Sequence, residues 1–240
     1  MKTVAIIPAR GGSKGIPRKN IIDFCGHPLS AWTIAAARRC SAIDGVFVST
    51  DSAEMAAVAR YYGAEVTNRP TEIAGDRATS ESALLHACGE ITHRHGRPPE
   101  RVVFLQATSP LREASELDGA LAKFKQEKLD SLFSASQPED MLFWQQTPAG
   151  LNSINYDYAS RKRRQDMGEE SLLLVETGSF YVTRFALLQE TQNRLGGRIG
   201  VWPVDFWKSF EIDSQAGLEL CTLLMRQNGL DRSPPVPVAG

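Results

Sequence analysis

Four short apolar runs, at residues 4–8, 45–50, 101–106 and 130–135, recur along the chain and are separated by stretches with helical periodicity. This alternation constrains the fold more than any other feature. A strand, a crossover helix and a second strand close into a βαβ unit, and repeated units give a parallel sheet. The intervening helices are predicted at 29–39, 53–62, 80–95 and 116–126. The expected fold class is therefore α/β, a Rossmann-like, mostly parallel sheet flanked by helices. In such open sheets ligands sit outside the carboxyl ends of the strands, so the loops beginning at Pro8, Ser49 and Gln106 should converge on one cleft.

The pattern breaks from about residue 138 to 168, where Gln, Asn, Tyr, Asp and Arg dominate and Phe143, Trp144, Tyr156 and Tyr158 are interleaved. A loop this long is usually functional or disordered, and the aromatics favour an ordered arm packed on another subunit. Regular structure resumes at 171–183, followed by a helix, a strand near 199–204 and a last helix at 214–227. One domain over residues 1–230, with an arm at 138–183 and a flexible tail at 231–240, is the expected organisation.

Charges nearly cancel, with 28 acidic and 27 basic side chains, so no global field marks a nucleic-acid or membrane-surface binder. The apolar runs are far shorter than the roughly 20 residues a membrane span needs, and the start of the chain lacks the pattern of a signal sequence. Cys25, Cys40, Cys88 and Cys221 are scattered without metal-ligand spacing and read as reduced structural thiols. A small-molecule enzyme of the cytoplasm is the expectation.

Directly after the first strand comes Pro8-Ala9-Arg10-Gly11-Gly12-Ser13-Lys14-Gly15-Ile16-Pro17-Arg18-Lys19-Asn20. Its glycines let backbone N–H groups approach an anion closely, and Arg10, Lys14, Arg18 and Lys19 offset negative charge, so a polyphosphate fits. The spacing matches neither of the two common glycine-rich nucleotide loops.

That loop resembles the signature of the acylneuraminate cytidylyltransferases, the CMP-sialic acid synthetases. Further strings of the family follow in order: Ser49-Thr50-Asp51, Arg69-Pro70, Ala78-Thr79-Ser80, Leu105 through Arg112 (Leu-Gln-Ala-Thr-Ser-Pro-Leu-Arg), Arg163-Arg164-Gln165-Asp166, Glu176 through Tyr181, and Glu211-Ile212-Asp213. The resemblance spans residues 4–228 and implies a nucleotide-diphospho-sugar transferase type of fold with a dimerisation arm. It also implies that Arg10, Ser13, Lys14, Lys19, Asn20, Arg69 and Ser80 hold CTP, and that Gln106 contacts the sugar. Arg forks suit phosphate and carbonyl oxygens, whereas Asn and Ser suit a base edge or ribose hydroxyl. Read without the resemblance, Arg69 is a solvated loop residue and Ser80 a helix cap. Thr108, Arg112 and Asp51 are weaker candidates.

The basic run Arg161-Lys162-Arg163-Arg164 admits three readings: a solvated loop, a nuclear-import address, and a carboxylate site. In the last, which the resemblance favours, Arg163, Arg164 and Gln165 hold the carboxylate and hydroxyls of a sugar acid, because guanidinium recognises carboxylate bidentately. The arm of the family reaches into the partner subunit's site, which implies a homodimer. The import reading leaves the nucleus open should the source be eukaryotic.

Glu211 and Asp213 lie two apart on extended chain, so both carboxylates project from one face. Such a pair can hold Mg²⁺, or Mn²⁺, together with substrate phosphates. The family usually has two aspartates here and a third several residues on; this chain has glutamate first and Gly217 near the place of the third. The bland alternative makes Asp213 the cap of the last helix.

The resulting expectation is transfer of CMP from CTP to the anomeric C2 hydroxyl of a nonulosonic acid, N-acetylneuraminate or a close relative, with release of pyrophosphate. Lys14, Lys19, Arg163, Arg164 and Asp213 are the expected catalytic residues. Legionaminate, pseudaminate and octulosonate are alternative acceptors, and an inactive nucleotide-binding protein is the alternative from another class.

Overall fold

The computed structural model describes residues 1–12, 15–138, 141–163, 166 and 173–238. β1 (Thr3–Pro8) is followed by a small hairpin of β2 (Asp23–Phe24) and β3 (His27–Pro28), then α1 (Leu29–Arg39). Next come β4 (Gly45–Thr50), α2 (Ala53–Tyr61), β5 (Glu65–Asn68), α3 (Ser80–His95), β6 (Arg101–Leu105), α4 (Ala114–Gln126) and β7 (Ser131–Ser136). A second hairpin pairs β8 (Trp144–Thr147) with β9 (Gly150–Ser153). β10 (Val175–Arg184), α5 (Phe185–Thr191), β11 (Ile199–Pro203) and α6 (Gln215–Gln227) complete the chain's regular structure.

Seven strands form one sheet in the order β11-β7-β10-β6-β1-β4-β5. All run parallel except β10, which is antiparallel to both β6 and β7. Strands covered by helices on both faces must be apolar throughout, and Val4, Ala5, Ile6 and Ile7 of β1 are indeed completely buried. Successive side chains then point to opposite layers. Ala5 and Ile7 pack with Ile34, Met55, Leu117 and Phe124, while Val4 and Ile6 pack with Leu84, Ile91, Phe104 and Leu188. Each such enclosed aliphatic side chain contributes about 1.5–3 kcal/mol. A third cluster, with Phe24, Leu29, Trp32, Leu111, Ile212 and Met225, ties the β2–β3 hairpin and α6 to the sheet's carboxyl-end loops.

Local chemistry sets the helix ends. Ser52, Thr79 and Ser214 accept from the backbone N–H of Met55, Ser82 and Gly217 and so cap α2, α3 and α6. Gly96, with φ of 74°, closes α3 in the left-handed conformation. α4 begins two residues before its expected start because Glu113 and Glu116 form a reciprocal capping box.

Other features also depart from the sequence expectation, the β2–β3 hairpin among them. β5 is a short edge strand with exposed ends, too brief to show a period. The segment read as irregular contains the β8–β9 hairpin, exposed on both faces, whose pairing rests on backbone bonds and on Trp144 against Tyr156 and Tyr158. At the C-terminal end, Arg39 donates to the carbonyls of Ser233 and Pro234 at 2.8 and 2.6 Å, and Val238 N–H donates to Tyr61 O at 3.0 Å. Among the described residues no helix is long and apolar enough to cross a membrane.

Candidate active site

The carboxyl ends of β1 and β6 and the start of α3 enclose a cleft of about 210 Å³. Its first wall is the glycine-rich loop. Gly11 N–H donates to Asp51 Oδ1 at 2.8 Å, which anchors the loop to the end of β4. A Cβ on Gly11 would come within 2.9 Å of Ser52 Cβ, so the close approach requires glycine. Arg10 pairs with Asp76 at 2.8 Å, and Asn20 Nδ2 donates to the Arg10 carbonyl at 3.1 Å. Arg18 adopts the left-handed conformation, φ 56°, and a short 3-10 turn at Lys19–Ile21 brings Lys19 and Asn20 back into the cleft.

The same wall continues through Arg69 and the beginning of α3. Arg69 is buried, donating through Nε to Ser49 Oγ at 3.1 Å and through Nη2 to Ser49 O at 2.7 Å. Burial lowers its pKa and the charge of Asp51 counteracts this. Ser80 is the first residue of α3, and because Thr79 supplies the cap, the Ser80 hydroxyl is left to the cleft. The positive end of the helix dipole adds to the fields of Arg10, Lys19 and Arg69, so this wall attracts anions.

The opposite wall is made where β6 ends and β10 bulges. The β7–β10 register shifts between Glu176 and Tyr181, and Gly178 within that interval has φ of 67°. A Cβ on Gly178 would lie 2.2 Å from Glu211 Oε1 and 2.5 Å from Gln106 Nε2, so the side chains of Gln106 and Glu211 converge on this glycine. Glu211 also accepts from Ser109 Oγ at 3.1 Å, and Ile212 N–H donates to Thr108 O at 2.9 Å. Burial pushes the Glu211 carboxyl upward and neighbouring Asp213 adds to the effect, while Ser109, Lys19 and Arg112 oppose it. Asp213 is exposed and its Oδ1 meets Lys19 Nζ at 2.6 Å. The loop itself touches this segment, since a Cβ on Gly15 would lie 2.3 Å from Asp213 O.

A family model described as Cytidylyltransferase matches residues 4–171. The chain belongs to the cytidylyltransferase family. N-acylneuraminate cytidylyltransferase A of Danio rerio is 36% identical over 190 residues, which are 78% of this chain and 42% of the relative. The chain thus spans less than half the length of that relative. Pseudaminic acid cytidylyltransferase of Campylobacter jejuni strain 81-176 is 37% identical over 194 residues, 79% of this chain and 82% of the relative. N-acylneuraminate cytidylyltransferase of Escherichia coli O18:K1:H7 is 28% identical over 233 residues, 94% of this chain and 52% of the relative. The fold matches a CMP:2-keto-3-deoxy-manno-octonic acid synthetase complexed with CTP, with TM-score 0.70 and 17% identity over 95% of this chain and 100% of that one. It also matches 4-diphosphocytidyl-2C-methyl-D-erythritol synthase of Anaerococcus prevotii, with TM-score 0.65 and 10% identity over 94% and 96%.

In this cytidylyltransferase-family chain, Arg10, Lys19, Asn20, Arg69, Ser80 and Gln106 line one cleft, with Glu211 and Asp213 at its edge. Ser214 rather than Asp213 caps α6, and Thr79 rather than Ser80 caps α3. Arg163 does not line this cleft; it is exposed and paired with Asp166 at 2.7 Å. Ser13, Lys14, Arg164 and Gln165 lie outside the described residues.

Sequence reasoning missed one cluster bordering the cleft. Arg194 pairs with Glu81 at 2.5 Å and approaches Glu176 at 4.0 Å, and its guanidinium lies over the rings of Tyr181 and Phe104. Tyr181 hydroxyl donates to Glu176, and burial pushes the phenol's pKa up, with Glu176 adding to the effect. Its members come from α3, β6, β10 and the stretch after α5, so no local spacing announces it.

Proposed function

We propose that this chain transfers CMP from CTP to the anomeric C2 hydroxyl of a nonulosonic acid and releases pyrophosphate. The observation that carries the proposal is the division of the cleft. Cationic Arg10, Lys19 and Arg69 and the start of α3 line one side, and Gln106 lies on the other, beside Glu211.

Arg10 and Lys19 would neutralise the triphosphate, with Ser13 and Lys14 of the same loop completing the cradle. Asn20, Arg69 and Ser80 would hold the nucleoside, and the hydrogen bonds to Ser49 fix the Arg69 fork before CTP arrives. Gln106 would orient the sugar acid so that its C2 oxygen forms a bond to the α-phosphorus in line with the departing pyrophosphate oxygen. The carboxylate of that acid would meet Arg163, Arg164 and Gln165 of the partner subunit's arm in a homodimer. Such transfer asks mainly for positioning and charge stabilisation from the protein.

The acidic edge fits a divalent cation. Among the described residues no group of three carboxylate, His or Cys ligands occurs, but Mg²⁺ needs only one or two carboxylates beside substrate phosphates. Asp213 is exposed at the cleft edge and Glu211 is near it, so these two would hold Mg²⁺ or Mn²⁺. The bound ion would screen phosphate oxygens and acidify the attacking hydroxyl.

Acceptors named for relatives of nearly equal similarity, N-acylneuraminate and pseudaminic acid, form the first test set. Pyrophosphate release is measured with CTP and Mg²⁺ across nonulosonic and octulosonic acids, with ATP, GTP and UTP as controls. Release with CTP and one acid class is expected. Silence across the panel with CTP still bound would support a nucleotide-binding protein without turnover.

A further inference from the structure

Arg112 closes the string that begins at Leu105, and it is a buried cation whose contacts are to main chain and hydroxyl. Nε donates to Ser179 Oγ at 2.9 Å, and Nη2 donates to Gln106 O at 3.2 Å and to Ser179 O. Nη1 is buried with no hydrogen-bond partner among the described residues. Burial lowers its pKa to about 10, with Glu116 and Glu211 opposing the shift, so the side chain stays charged near neutrality.

Enclosing a guanidinium without a directly paired carboxylate is costly. α4 does not require the cation there, since Glu113 and Glu116 already satisfy its first turn. What the position does reach is the junction of two adjoining strands. The backbone bond there, from Gln106 N–H to Ser179 O, is long at 3.4 Å and lies beside the β10 irregularity that contains Gly178. Arg112 bridges the carbonyls of Gln106 and Ser179 at that loosened point. Fixing the Gln106 peptide fixes the origin from which its side chain reaches toward Gly178 and Glu211.

We infer that Arg112 is a positioning residue for the sugar-acid half of the cleft: it locks the Gln106 and Ser179 main chain so that the Gln106 amide and Glu211 carboxylate keep their places around Gly178. The inference rests on the proposed function. It separates the halves of the cleft, because Arg69 is held by Ser49 and Asn20 by the Arg10 carbonyl, and neither hydrogen-bonds Arg112 among the described residues.

The test compares wild type, Arg112→Lys, Arg112→Met and Ser179→Ala in pyrophosphate release with CTP, Mg²⁺ and N-acetylneuraminate or pseudaminate. CTP dissociation constants and thermal midpoints are measured beside it. In Arg112→Met the acceptor KM is expected to rise by about tenfold or more while CTP affinity stays within about twofold, and Arg112→Lys recovers part of the loss. Ser179→Ala keeps the cation and removes one contact, so it reads the same effect at smaller size even where Arg112→Met fails to fold. An unchanged acceptor KM in both Arg112→Lys and Ser179→Ala, or equal weakening of CTP and acceptor, overturns the inference. A wild type silent with every acid overturns the proposed function and this inference together, whereas an active wild type isolates the inference.

Discussion

Lys19 Nζ lies 2.6 Å from Asp213 Oδ1, joining the first loop of the chain to the segment just before its last helix. The Lys19 side chain is largely enclosed while Asp213 is mostly exposed. In the proposed reaction the cation belongs to the triphosphate and the carboxylate to the metal, so the pair must separate as substrate enters. Until then each charge keeps the other oriented.

Asp213→Ala is therefore expected to leave folding intact and to remove turnover. The Asp213 carboxylate is mostly exposed and water can take its place at Lys19, so the pair is worth about 1 kcal/mol and the thermal midpoint should move by only a few degrees. Pyrophosphate release should fall by about a thousandfold or more, in line with loss of charge stabilisation in the transition state. A fully active variant would remove the metal role.

Arg69→Met tests the proposed nucleotide wall. The Arg69 fork is held in place by Ser49, and its replacement should weaken CTP binding by roughly tenfold or more while the acceptor KM changes little. Titration calorimetry with CTP alone reads this directly. Unaltered CTP affinity would leave Arg69 with a structural role alone. Arg69→Lys should not restore binding, because a point charge cannot reproduce the fork.

Gly178→Ala challenges the other wall. The new Cβ has to occupy a left-handed backbone position and would collide with Glu211 and Gln106 at 2.2 and 2.5 Å. Strain of this kind costs about 1–3 kcal/mol. Urea denaturation should show a lowered midpoint, and the acceptor KM should rise in the same variant. A stable variant with native kinetics would contradict the described convergence.

Asp44 makes a pH-dependent contribution at the opposite end of the sheet. Its Oδ2 accepts from the N–H groups of Lys2 and Thr3, both at 2.7 Å. The Thr3 bond leads in holding its pKa below 3.8, with burial opposing and the Lys2 bond and nearby positive charges assisting. The folded pKa is depressed, so the stabilisation is complete above the unfolded value and is lost as pH falls through the folded one. Asp44→Asn should be less stable than wild type at pH 6, and the difference should shrink below pH 3.8. A gap that stays constant with pH would refute this linkage.

The elements legible in the sequence were those whose apolar periodicity is enforced by burial. α1 and α3 occupy the expected spans because Ile34, Leu84 and Ile91 face the sheet and because Gly96 ends the second of them. The β8–β9 hairpin escaped because its exposed faces impose no alternation on Gln145, Gln146 and Asn152. The local strings around Arg10 and Gln106 marked the cleft, since the carboxyl ends of parallel strands must share one edge. Nothing local could have revealed that Gly178 brings Gln106 against Glu211, or that Arg112 reaches back beneath Gln106. Such relations belong to strand order and to a bulge, neither of which has a composition.

β10 runs against its neighbours, and its direction has an evolutionary consequence. It enters the sheet at the edge where the parallel strands leave it, so the excursion between β7 and β10 departs and returns at the rim of the cleft. Residues there can lengthen, shorten or change character without crossing a buried layer. In the proposed reaction the scaffold would hold the nucleotide and the insert would lie beside the acceptor, so the two could diverge at different speeds and new acceptors could be acquired by rewriting the rim alone.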